Sequence, residues 1–267
     1  MPELPEVESY RRLAEGRALG RLIVAVETPD PWYLKRGTDA GQLAASLVGR
    51  TFAAARRRGK LLVLDTDDGV GLGLRFGMTG RLVVDGTAGV DQLRYTTGRQ
   101  DPAWDRFVVR FGTRRRGRST GALTIQDPRR LGGVELSPDL SGLGPDALSV
   151  SPAALRSALG SSDAPLKACL LDQSRLAGVG NLLADEILWR SGLDPARPAS
   201  GLKPAELRRL AAAIPATLED LMGRGGSHTG DLMASREPGG RCPRDGVPLV
   251  RRTVGGRTTW SCPRHQR

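Results

Sequence analysis

A chain of 267 residues with 39% apolar content is long enough to bury a sizeable core in one large or two modest domains, and it reads as soluble and globular. Forty lysines and arginines against 29 acids leave a formal charge of +11, which points to a polyanionic partner, either nucleic acid or an anionic membrane surface. Three cysteines exclude a disulfide framework, no apolar run approaches the roughly 20 residues of a membrane span, and the acidic N-terminus lacks the pattern of a signal peptide, so a cytoplasmic chain is expected.

The chain opens Met1-Pro2-Glu3-Leu4-Pro5-Glu6-Val7-Glu8. A small second residue favours removal of Met1, which leaves Pro2 as a terminal secondary amine. Such a group titrates near pH 8, roughly two units below a lysine, so part of it is unprotonated at neutrality and can attack an electrophilic carbon. Attack on a sugar C1′ gives a charged imine, which acts as an electron sink. Glu3 adjoins the amine, and Glu6 follows one turn into a helix that begins near Pro5, with Leu4, Val7, Leu13 and Ala14 on its apolar face. The same residues also describe an ordinary surface helix whose glutamates serve only its positive end.

Strands are predicted at 21–27, 52–58, 61–65, 71–76, 80–84, 106–111 and 122–126, with a short helix at 43–48, so residues 1–137 form a β-rich domain of two packed sheets preceded by one helix. Residues 138–149 are a proline- and glycine-bearing linker. Helices then follow at 152–159, 166–172, 182–191 and 204–222, giving a helical domain over 150–225. The glycine-rich stretch 223–240 is expected to be mobile, and it leads into a small module at 238–267.

Several stretches carry chemistry. Arg56-Arg57-Arg58-Gly59-Lys60 gathers four cations around a glycine, which also suits a solvated turn. Met78 lies in Arg75-Phe76-Gly77-Met78-Thr79-Gly80, and a second turn reads Asp127-Pro128-Arg129-Arg130-Leu131-Gly132. Gly178-Val179-Gly180-Asn181 stands before a helix, where glycines admit a phosphate to the backbone and the helix dipole favours the anion. Near the end, Cys242-Pro-Arg-Asp245 and Cys262-Pro-Arg-His265 have zinc-ribbon spacing with two of four cysteines changed, a ligand set zinc accepts. A metal-free finger held by its hairpin is the alternative.

In this order the motifs resemble the formamidopyrimidine-DNA glycosylase (Fpg/Nei) family across nearly the whole chain. The resemblance implies an α+β multidomain fold: an N-terminal helix with a two-sheet β-sandwich, a helical bundle with a helix-two-turns-helix element, and a zinc-ribbon-like hairpin finger. It implies a monomeric, bifunctional DNA glycosylase and AP lyase that flips an oxidised purine out of double-stranded DNA bound in a basic cleft, then nicks the strand by β,δ-elimination. Pro2 would be the nucleophile, Glu3 the general acid and base, Glu6 an orienting group that also ties the first helix to the second domain, and Lys60 a contact to the lesion. Arg75, Lys167, Asn181 and Arg257 would bind phosphates, and Met78, Arg129 and Leu131 would fill the gap left by the flipped base. Glu186 would pack near the N-terminal site. Zinc would sit on Cys242, Asp245, Cys262 and His265.

The sequence departs from the family at Arg75, where histidine is usual, at Leu131, where phenylalanine is usual, and in a shortened segment between 226 and 242. These leave oxidised pyrimidines and bare abasic sites open as substrates. A non-catalytic binder of damaged DNA and a zinc-ribbon transcription regulator are the competing classes, and neither needs Pro2 with Glu3.

Overall fold

The computed structural model describes residues 2–94, 98–113 and 119–267; Met1, whose removal is expected to free Pro2, lies outside them. The chain divides into two compact units, the first comprising residues 1–2 and 6–140 and the second residues 3–5 and 141–267.

The first unit packs most of α1 (Leu4–Arg17) with two antiparallel sheets. One sheet has the order β1-β7-β8-β5-β6, with β1 Leu22–Glu27, β5 Arg81–Val84, β6 Thr87–Ala88, β7 Asp105–Gly112 and β8 Ser119–Gln126; the other is β2-β3-β4-β9, with β2 Phe52–Arg58, β3 Leu61–Thr66, β4 Gly71–Arg75 and β9 Gly133–Leu136. Ile23, Phe107 and Phe111 of one sheet and Leu62, Leu64, Leu74 and Val134 of the other share a single core with Val7, Tyr10 and Ala14 of α1. This is the expected sandwich. Strand β3 is apolar on both faces because its outer face is covered too: a Cβ on Gly73, its neighbour in β4, would lie 2.9 Å from Pro138. The short helix α2 (Ala40–Leu47) starts three residues earlier than predicted, because Asp39 and Gln42 form a reciprocal capping box, a D-x-x-Q signal present in the sequence.

The second unit contains α3 (Pro152–Leu159), α4 (Leu166–Leu171), α5 (Asn181–Ser191), α6 (Pro204–Gly223) and the antiparallel hairpin β10 (Val250–Val254) and β11 (Arg257–Ser261). Helix α5 is buried nearly all round and runs through the unit, its apolar side chains in the helical core and Trp189 in a smaller core with Leu232, Cys242, Leu249, Trp260 and Cys262. The hairpin turns on Gly255 and Gly256, both at positive φ (57° and 70°), the conformation a two-residue hairpin requires.

The stretch after α6 is packed where the sequence suggested mobility. Two 3₁₀ turns, Ser227–Thr229 and Met233–Ser235, bury Leu232 and Met233, and the Glu186 carboxylate of α5 accepts the amides of Asp231 and Leu232, both at 3.0 Å. Arg190 joins Glu186, Asp220 and Asp231 beneath them. Glu186 therefore anchors this segment.

Candidate active site

Glu3 is fully buried and accepts three backbone N–H groups at the start of α5, from Gly180 (2.9 Å), Leu182 (3.0 Å) and Leu183 (3.1 Å). A helix N-terminus offers unpaired donors and a positive dipole end, and here it holds a carboxylate anion. The glycines make the approach possible: a Cβ on Gly180 would lie 2.2 Å from Glu3 Cδ, and one on Gly178 2.4 Å from Leu4 Cδ1. The Gly180 amide, which the sequence offered to a phosphate, is thus taken by an anion supplied by the chain itself. Glu6 is buried in the first unit, and its charge adds to burial in raising the Tyr10 hydroxyl well above its ordinary pKa.

The two turns expected to fill a flipped-base gap come together in the first unit. A Cβ on Gly77, at φ 54°, would lie 2.4 Å from the Leu131 backbone carbon, and Thr79 Oγ1 donates to Asp127 Oδ1 at 2.5 Å. Asp127, which the sequence reading left without a role, organises the loop: its buried carboxylate also accepts Arg129 N (3.2 Å), Gly132 N (2.9 Å) and the Tyr33 hydroxyl (3.3 Å). Arg129 and Leu131 are exposed, and Met78 is half-buried. Arg75 donates to Glu135 (2.8 Å), a carboxylate it shares with Arg36. Lys60 sits with Gly59 at the two-residue tip between β2 and β3, where Arg57 donates to the Gly59 carbonyl (2.9 Å) and to Glu8 of α1 (3.2 Å).

Lys167, Asn181 and Arg257 also converge, with one correction. Lys167 is fully buried: its ammonium pairs with Asp185 at 2.7 Å and donates to Thr258 O (3.1 Å) and Thr259 Oγ1 (2.8 Å). A side chain spent this way inside the protein does not reach a phosphate. Burial pushes its pKa down, and Asp185 opposes that shift. Asn181 donates to the same Thr258 carbonyl (3.2 Å), so both residues fix the strand end on which exposed Arg257 is carried. Asp185, which sequence reasoning missed, also pairs with Arg236 (2.7 Å). The signal was available: Asn181, Asp185 and Trp189 recur every four residues, one stripe of α5 facing the hairpin.

Cys242, Asp245, Cys262 and His265 bring one ligand atom each within 4.8 Å of one another, a group that could bind a metal ion. Their surroundings fit that role. His265 Nε2 lies 3.1 Å from the Trp189 carbonyl, which turns Nδ1 toward the group, and the Trp189 indole donates to Cys242 Sγ at 3.3 Å. Burial and the neighbouring Asp245 carboxylate push the Cys262 thiol up to about 11.

Fold and site together define an α+β protein of the helix-two-turns-helix class, with a finger and a carboxylate, that of Glu3, locked at the start of α5. Residues 1–134 match the model of the formamidopyrimidine-DNA glycosylase N-terminal domain, and residues 142–231 that of the helix-two-turns-helix domain of the same glycosylases. The chain belongs to the formamidopyrimidine-DNA glycosylase family. It is 36% identical over 287 residues to the formamidopyrimidine-DNA glycosylase of Thermus thermophilus (98% of this chain, 97% of that one) and 35% over 297 residues to that of Paracoccus denitrificans (98% and 99%). Among solved structures it resembles the Lactococcus lactis Fpg protein in complex with DNA containing an abasic site (TM-score 0.82, 27% identity, 100% of both chains). The likeness extends to the same protein with DNA containing N7-benzyl-Fapy-dG (TM-score 0.82, 27%, 99% of both).

Proposed function

We propose that this protein is a bifunctional DNA glycosylase and abasic-site lyase of base excision repair, working in the cytoplasm as a monomer on double-stranded DNA with damaged bases. The observation that carries this reading is the Glu3 carboxylate, buried, gripped by three amides and one peptide bond from the Pro2 amine. The unprotonated Pro2 nitrogen attacks C1′, the glycosidic bond breaks, and the base leaves with a proton. Glu3 hands a proton to O4′ as the C1′–O4′ bond breaks, which opens the sugar and gives the iminium; a base then takes the C2′ proton, that bond's electrons move toward the iminium, the 3′ phosphate departs, and a second elimination expels the 5′ phosphate. A proton placed on Glu3 costs it hydrogen bonds to amides, so it passes on readily, and the anion that remains stabilises the cationic imine.

Lys60 is assigned to the lesion, Arg75, Asn181 and Arg257 to phosphates, and Met78, Arg129 and Leu131 to the vacated space; Glu6 orients the amine. Borohydride reduction in the presence of abasic duplex is expected to trap a covalent adduct on protein that begins at Pro2. Pro2→Gly leaves a less constrained primary amine and should slow trapping about a hundredfold. Equal trapping by protein that retains Met1 would refute the mechanism.

The metal assigned to Cys242, Asp245, Cys262 and His265 is zinc, which favours thiolate and imidazole and accepts one carboxylate. It would cross-link the two turns of the finger and so steady the hairpin bearing Arg257. Elemental analysis should find one zinc per chain, and chelation or Cys262→Ser should lower the melting temperature by about 5–10 °C. Zinc-free protein with unchanged melting would rule this out.

A smaller lesion is the favoured refinement of the substrate. The segment between 226 and 242 is shorter than the usual family pattern and spends Leu232 and Met233 on the core of its own unit, so it offers fewer contacts to an extruded purine. A panel of duplexes should show abasic sites and oxidised pyrimidines processed at least as fast as 8-oxoguanine; a strong preference for the purine would exclude this refinement.

A further inference from the structure

Four large apolar side chains among the described residues are exposed: Trp32 (68%), Leu131 (52%), Val250 (43%) and Val48 (41%). Two of them, Trp32 and Leu131, belong to segments that the structure joins rigidly. Trp32 lies in the 3₁₀ turn Pro31–Tyr33, whose N-cap Asp30 accepts the Trp32 amide on Oδ1 (3.2 Å). The same oxygen accepts Arg130 Nη2 at 2.7 Å, and Oδ2 accepts Arg130 Nε at 2.6 Å. The next residue, Tyr33, is fully buried and donates to Asp127, the carboxylate that shapes the loop bearing Arg129 and Leu131. Close packing seals the joint: a Cβ on Gly132 would lie 2.1 Å from the Tyr33 hydroxyl.

The indole itself is held. Lys35 Nζ stands 4.7 Å from the ring centroid and donates to the Trp32 carbonyl at 2.6 Å. The Lys35 stem lies against β9, where a Cβ on Gly133 would come within 2.4 Å of its Cγ, and its amide donates to Val134 O (2.8 Å). A ring braced on one face by a cation and exposed over most of its surface is a platform for a flat, electron-rich partner that brings phosphates with it.

Resting on the glycosylase reading above, we propose that Trp32 stacks on a nucleobase of the damaged duplex, beside the space filled by Met78, Arg129 and Leu131, with Lys35 facing the adjoining phosphate. This supplies the aromatic surface that Leu131, an aliphatic wedge, does not. Base-on-aromatic stacking is sequence-tolerant, so the contact favours an unstacked or unpaired base over any particular one.

The test uses the full chain and a duplex carrying a tetrahydrofuran abasic analogue, with 2-aminopurine opposite or next to it. Trp32→Ala should weaken binding about 5- to 150-fold, the range expected for one lost stack, while Trp32→Phe should keep most of it. The loss should fall on Kd and KM more than on kcat. Quenching of 2-aminopurine on binding should disappear in Trp32→Ala and return in Trp32→Phe, a readout that a merely structural role would leave alone. Melting temperatures, expected to be equal because the ring is exposed, exclude misfolding. If wild-type protein is trapped on abasic DNA yet Trp32→Ala matches it in affinity and quenching, or Trp32→Phe fails as badly as Ala, the stacking role is wrong and the glycosylase reading stands. A wild-type protein that neither binds nor is trapped overturns both.

Discussion

Glu3→Gln is expected to slow strand nicking on abasic duplex by about 10²- to 10⁴-fold, the range spanned by a positioned acid–base group, while the chain still folds and binds DNA. The substitution is nearly isosteric, and one oxygen can still accept the amides of Gly180 and Leu183. The other oxygen becomes an NH₂ facing the amide of Leu182, so one donor loses its acceptor. That costs about 1–3 kcal/mol, or a melting temperature lower by roughly 2–12 °C, which leaves folded protein for the assay. Gly180→Ala gives an independent check because it keeps every titratable group. Its Cβ would fall 2.2 Å from Glu3 Cδ, so the carboxylate must move, and displacement by about 1 Å can cost a hundredfold in rate. Loss of nicking in both variants with DNA affinity kept places the defect in proton transfer and charge stabilisation. Full nicking by Glu3→Gln would favour a DNA-binding role for the N-terminus over a catalytic one.

The sequence revealed more about elements than about their partners. Alternation in β1 and the capped, periodic helices α3 and α6 are local signals, and Pro152–Leu159 appears as predicted. Strands β6 and β9 were not separately predicted: β6 has two residues, and β9 is defined by pairing with β4 across about sixty residues of chain. The Gly-Val-Gly-Asn motif marked a helix start open to an anion, and that physics holds. What the local sequence could not reveal is that the anion comes from Glu3, 177 residues away. Lys167 was misread for the same reason. The family resemblance implied a phosphate contact there, and only the tertiary fold shows Asp185 beside it. Asp127 was visible as part of a turn, but its four contacts come from separate segments, including Tyr33 and Thr79. The group of four that could hold a metal, by contrast, was visible in the sequence because its spacing is local within each pair, and the fold brings the two pairs together.

The buried ion pair yields the largest expected loss of stability. Asp185→Ala removes a carboxylate that pairs with both Lys167 and Arg236, and it leaves a fully buried ammonium beside a guanidinium. Breaking a buried pair from one side costs about 3–5 kcal/mol, so the melting temperature should fall by roughly 6–20 °C. Lys167→Met should cost less, since Asp185 keeps Arg236 and the amide of Trp260, and an unbranched apolar chain fills the lysine's volume. The order of the two variants tests the network, and DNA binding tests the role. A lysine that neutralised a phosphate would, on removal, reduce the slope of log affinity against log salt by about 0.9 and leave melting unchanged. An anchor behaves differently: Lys167→Met takes one of two side-chain donors from the Thr258 carbonyl and the ammonium from the Thr259 hydroxyl, loosens the hairpin that carries Arg257, and lowers melting and affinity together. Arg257→Ala supplies the comparison, because its exposed side chain should affect the salt slope alone. A Lys167→Met protein with wild-type melting and a reduced salt slope would return Lys167 to the phosphate-binding set and show that this buried arrangement opens when DNA is bound.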